Sequence, residues 1–124
     1  LDFLIDVVSS ATSPNEQIKF EIANEIKNSG VPGFLAKPLS LVFAKRAKAK
    51  RKIWWEKNGD FDPIPLIRDS NVPILKIFGE EDENVPHTES MVLLENMLST
   101  SPDVPLTIKT FKGTGHALIN RASG

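Results

Sequence analysis

The run VPILKIF at 72–78 constrains the fold more than any other stretch of this chain. It is short, rich in β-branched and aromatic residues, and apolar on both faces. Val72, Ile74 and Phe78 fall on one face, Leu75 and Ile77 on the other. A strand with two apolar faces needs cover on both sides, the situation of a parallel sheet flanked by helices. Pro73 is tolerable so near a strand start. A helical pattern follows at 88–99, with Thr88 as its cap and Glu89 in the first turn, where the helix dipole favours an acid. Met91, Val92, Leu94, Met97 and Leu98 give it a broad apolar face, and both methionines read as core. Ser101-Pro102-Asp103 breaks that helix, and LTIKTF at 106–111 alternates as a strand near a sheet edge does. Strand, helix, strand is a βαβ unit with a right-handed crossover, so the fold class is α/β.

Upstream the signals are helical. Ser13-Pro14-Asn15-Glu16 combines a cap, a proline suited to the first turn and a capping-box glutamate, and Ile18, Ile22 and Ile26 then form one stripe. The spacing predicts a helix over 14–28, a loop over 33–38 and a second helix over 39–57 that ends in Ile53-Trp54-Trp55. The proline-rich segment 61–70 reads as a connector. Residues 1–60 carry no strand pattern, and a parallel pair wants further strands beside it. The expectation is therefore a helical cap or lid-like region at 1–60, a C-terminal βαβ part at 61–124, and additional strands encoded before Leu1, the chain being a piece of a longer protein.

Composition narrows the classes of function. The net charge of −1 creates no overall field toward nucleic acid. No cysteine is present, which excludes thiolate ligands and thiol nucleophiles, and no H-x-x-x-H or H-E-x-x-H pattern occurs, so neither a metal nor a cofactor is expected. No apolar run reaches the ~18 residues of a membrane span, and the first residues have no signal-peptide pattern. The basic run KRAKAKRK at 45–52 reads as a solvated helix face whose stems lie over apolar surface. Composition assigns neither a compartment nor an oligomeric state.

Two loop tips carry chemistry. GEEDENVP places Asp82 four residues past Phe78, and GTGHAL places His116 five past Phe111. Parallel strands send both loops to one edge of the sheet, where α/β proteins bind ligands. Gly113 and Gly115 let the second loop turn sharply. A carboxylate beside an imidazole fixes its tautomer and stabilises the imidazolium, the acid–base half of a triad. Glu80, Glu81 and Glu83 read as solvated neighbours, and His87 as a surface or capping residue.

These motifs resemble the C-terminal portion of an α/β-hydrolase: a strand, an aspartate loop with a downstream Val-Pro, a helix, a last strand and a glycine-histidine loop, over about residues 60–119. DFDPIPLIRDSNVPIL at 60–75 is similar to the serine aminopeptidase and prolyl-oligopeptidase-like branch. The resemblance implies that Asp82 is the triad acid and His116 the base, acting on a small-molecule ester or peptide substrate. It also implies a serine and an oxyanion hole from outside this chain, which has no G-x-S-x-G elbow; the nearest string, Ser29-Gly30-Val31-Pro32-Gly33, follows no strand. Two rival readings use the same residues: a non-catalytic binding protein on this fold, and a nucleic-acid or lipid-headgroup binder acting through the basic helix.

Overall fold

A computed structural model describes residues 2–119. In chain order the elements are β1 (Leu4–Val7), α1 (Pro14–Asn28), α2 (Gly33–Ala49), α3 (Lys52–Asn58), α4 (Ile64–Arg68), β2 (Ile74–Gly79), α5 (His87–Thr100) and β3 (Leu106–Phe111). The strands form one parallel sheet in the order β1-β2-β3. Leu4 pairs with Ile74, and Ile74 with Leu106.

The βαβ unit stands as its hydrophobic pattern requires. β2 lies at the centre, and β3 at an edge of the described sheet. Ile74, Lys76 and Phe78 are buried on one face. Phe78 meets Ala11, Val85 and Leu94 there, with Ile64, Ile67, Met91, Leu106 and Ile108 packed around them. Burying a side chain such as Phe78 or Leu94 contributes about 1.5–3 kcal/mol, so this cluster anchors α4, α5 and the loop after β1 to the sheet. Met97 is buried and Met91 half-buried, as core residues. The opposite face is less covered than the two-sided apolar pattern suggested: Leu75 and Ile77 are half-buried, their β1 partners Ile5 and Val7 are exposed, and so is Phe111, which pairs with Gly79.

α1 spans the residues its caps predict. The Ser13 hydroxyl accepts the Glu16 N–H, the Glu16 carboxylate accepts the Ser13 N–H, and Ile22 and Ile26 are buried. Gly30, at φ +74°, lets the chain leave the helix in the left-handed conformation that glycine tolerates.

Four local expectations are corrected. Residues 1–60 do supply a strand: β1 is four residues long, too short for a readable period, and its pairing with β2 makes it. Residues 33–38 are helical, because α2 starts at Gly33 and carries Pro38 inside it. The missing proline N–H costs one bond near the helix start, and packing of α2 against α1 outweighs it. The expected single helix over 39–57 is broken at Arg51, whose φ of −135° and ψ of 45° leave the helical path between α2 and α3. Finally, α5 begins at His87 with Pro86 in the cap position, so Thr88 lies in the first turn and is not the cap. The connector at 61–70 holds the one-turn helix α4, with Pro63 and Pro65 at its start, where a proline has no N–H bond to lose.

Lys76 is the least expected core residue. It is 1% exposed in the middle of β2, and its ammonium donates to Asp6 Oδ2 at 2.6 Å and Ser9 Oγ at 2.8 Å. Its Nζ also lies 5.2 Å from the centre of the Phe78 ring. The pair ties β1 and the turn after it to β2. That turn contains Val8 at φ +48°, a strained conformation for a β-branched residue.

Candidate active site

Asp82 sits in the turn that follows β2. Its Oδ1 accepts the backbone N–H groups of Asn84 at 2.8 Å and Val85 at 3.0 Å, the local turn bonding that aspartate favours. Val85 is buried in the core, so the turn is anchored from below. The Asp82 side chain is 1% exposed, and its Oδ2 is aimed at the neighbouring loop.

That loop follows β3. Gly113 turns it at φ +70°, and the Thr114 hydroxyl donates to the Phe111 carbonyl at 2.7 Å. Gly113 thus uses the freedom read from the sequence, whereas Gly115 is not among the positive-φ glycines. His116 lands on the rim, 47% exposed, and its Nδ1–H donates to Asp82 Oδ2 at 3.0 Å. A carboxylate only accepts, so this bond assigns the proton to Nδ1 and turns the lone pair of Nε2 away from Asp82.

Backbone bonds hold the two loops in register. The Glu80 N–H donates to the Phe111 carbonyl at 3.1 Å, and the Glu81 N–H to the Thr114 carbonyl at 2.9 Å. Gly79 lies where they meet. A Cβ there would come within 2.5 Å of the Thr114 carbonyl oxygen and 2.6 Å of that of Gly115, so only glycine permits the approach.

The sequence singled out Asp82 and His116, and the structure brings them together. Glu80 and Glu81 are exposed and Glu83 is half-buried. His87 lines a cleft of about 470 Å³ beside Asp82 and the three glutamates, on the side of the acid's turn away from His116, and shares a 3.4 Å hydrogen bond with the Thr88 hydroxyl. The Ser29–Gly33 string is a helix end: Ser29 caps α1 and its hydroxyl donates to the Ile26 carbonyl. Among the described residues, no group of three or more His, Cys, Asp or Glu side chains could hold a metal ion.

Sequence reasoning missed Asn24 and Asn28. The Asn24 amide donates to the Glu83 carbonyl at 2.8 Å, and that of Asn28 to the Glu83 carboxylate at 3.1 Å. Two asparagines four apart on one helix face were the available signal, but only the fold shows that they face the acid's turn. Ser90 was missed as well. It is fully buried at the start of α5, and its hydroxyl accepts the Ala11 N–H at 3.0 Å, joining the loop after β1 to this helix.

A buried acid that orients a rim imidazole through Nδ1 leaves the second nitrogen to take and return a proton. Comparison with known proteins places the chain in a family. A model described as the dienelactone hydrolase family matches residues 33–124, about three quarters of the chain. No curated protein and no solved structure matches significantly. The matched span includes both loops and the strands that carry them, and the chain belongs to the dienelactone hydrolase family of α/β-hydrolases.

Proposed function

We propose that the protein hydrolyses an ester as a serine hydrolase, with Asp82 and His116 as acid and base of a Ser-Asp-His triad. The observation that carries this reading is the 3.0 Å bond from His116 Nδ1–H to the buried Asp82 carboxylate. The serine comes from a segment outside these 124 residues. Its hydroxyl attacks the substrate carbonyl while its proton passes to His116 Nε2. Asp82 stays ionised and supports the imidazolium. The tetrahedral intermediate then collapses, and the proton moves from Nε2 to the departing alcohol oxygen. Water repeats the sequence against the acyl-enzyme, with His116 again as base and then acid. Backbone donors from the same outside segment hold the oxyanion.

The family's name refers to a lactone, a cyclic ester, which favours ester over amide. The likeness of 60–75 to peptidase-like members makes a peptide bond the second substrate class. In this reading α1–α3 form a lid over the cleft, and Asn24 and Asn28 attach it to the acid's turn.

The test uses the protein together with its nucleophile-bearing segment. Asp82→Asn turns an acceptor toward Nδ1 into an amide donor and forces the other tautomer, so kcat falls by about 10⁴ with little change in KM. His116→Ala does the same. In ¹⁵N spectra of neutral His116, Nε2 carries the lone pair in the parent and the proton in Asp82→Asn. The 124-residue chain alone is inert toward aryl esters and fluorophosphonate probes. Turnover within tenfold of the parent in both variants would remove Asp82 and His116 from the chemistry.

A further inference from the structure

The net charge of −1 conceals a strongly polar molecule. Residues 28–55 contain seven of the fifteen Lys and Arg and none of the sixteen Asp and Glu, so the rest of the chain sets eight bases against sixteen acids. The basic pole is centred on the junction of α2 and α3. There Lys50, Arg51, Lys52 and Lys57 frame Ile53 and Trp54 around one shallow surface depression.

Two observations indicate that this patch meets a partner. Ile53 is 71% exposed and Trp54 46%, so neither is used by the core. In addition, Lys52 occupies the first turn of α3, where the helix dipole is positive, and no acid is there to offset it. A base at that end costs stability, so helix formation does not explain Lys52, whereas Lys50, at the C-cap of α2, is favoured by the negative end of that helix. Glu56 meets Lys52 at 3.7 Å on the surface, and such an exposed pair is weak and readily exchanged.

We infer that the α2–α3 junction docks on an anionic lipid surface, with Ile53 and Trp54 entering the headgroup layer and the surrounding bases neutralising lipid charge. Tryptophan and flexible basic stems suit that boundary: the ring sits at headgroup depth while the ammonium and guanidinium groups remain in the aqueous headgroups. A nucleic acid fits less well, because an exposed isoleucine provides neither a stacking plane nor a hydrogen bond to a base.

Both tryptophans of these 124 residues lie in α3, so this helix carries its own probe. Tryptophan emission and co-sedimentation are measured with phosphatidylcholine vesicles and with vesicles containing phosphatidylserine. The expected result is a blue shift and retention on the phosphatidylserine vesicles, reversed as ionic strength rises. Lys50→Ala with Arg51→Ala weakens binding by about fivefold per base removed. Ile53→Ser weakens it and reduces the blue shift with charge unchanged. All three positions are exposed, so an unchanged unfolding midpoint confirms that the variants remain folded. The inference is overturned by no retention at low ionic strength or by equal retention on phosphatidylcholine alone. Binding to single-stranded RNA that ignores Ile53→Ser, with none to vesicles, would identify a nucleic-acid surface instead. Self-association that Ile53→Ser abolishes, without lipid binding, would identify an interface with a second copy.

Discussion

Gly79→Ala tests whether the two site loops are held in register by a backbone approach that admits no side chain. The added Cβ would stand 2.5 Å from the Thr114 carbonyl oxygen and 2.6 Å from that of Gly115, where ordinary contact begins near 3.4 Å. Both opposing atoms are backbone, so no rotamer change relieves the clash. The loop bearing His116 has to withdraw by most of an ångström. Such a shift breaks the 2.9 Å bond between the Glu81 N–H and the Thr114 carbonyl, and carries the 3.0 Å bond from His116 to Asp82 past hydrogen-bond range. Overpacking of this kind costs about 1–3 kcal/mol. For a chain of this size each kcal/mol lowers the midpoint by about 4 °C, so the expected fall is about 4–12 °C. Gly33→Ala is the control, since nothing lies within 4 Å of its Cβ and its φ is not in the left-handed region. The assays are thermal unfolding by circular dichroism and the proton resonance of the His116 imidazole Nδ1–H. Gly79→Ala should lower the midpoint and lose that resonance, while Gly33→Ala does neither. A Gly79→Ala midpoint equal to that of the control would refute the packing argument. A lowered midpoint with the resonance intact would show that the strain leaves the loops elsewhere, refuting the coupling.

The remaining predictions concern what holds α1 and β1. Lys76→Met removes the buried ammonium and leaves Asp6, itself 24% exposed, without its partner. We expect a loss of about 2–3 kcal/mol in urea unfolding, smaller than for a fully buried pair because Asp6 is partly hydrated, and partial recovery when Asp6→Asn is added. A double variant no more stable than Lys76→Met alone would count against the ion pair. Ser13→Ala removes the capping box of α1 and should cost about 1 kcal/mol by the same assay; a neutral result would mean that the rest of the cap compensates. Asn24→Ala should speed amide hydrogen exchange at residues 83–85 with little change at β3, and unchanged exchange at those amides would show that α1 does not hold the acid's turn.

Much of the fold was legible because its signals are local. Ser13, Pro14 and Glu16 carry the start of α1 in their own hydrogen-bonding groups. The two-faced apolar run of β2 and the alternation of β3 follow from side-chain direction along a strand. Asp82 and His116 could be chosen because a parallel topology sends every strand's C-terminal end to the same edge. β1 was not legible: four residues have no usable period, and they become a strand only by pairing with β2. Pro38 suggested a loop where α2 runs, because local propensity ignores the packing of α2 on α1.

By itself the amino-acid order determined the α/β class, the capped first helix and the identity of an acid and an imidazole at two loop tips, since periodicity and capping act over a few residues along the chain. Tertiary structure alone decided that Lys76 would be buried against Asp6, that Asn24 would reach the acid's turn, and that Gly79 would let two loops close to a 3.0 Å contact. Those contacts join groups distant in sequence, and their energy depends on distance and burial, which exist only once the chain has packed.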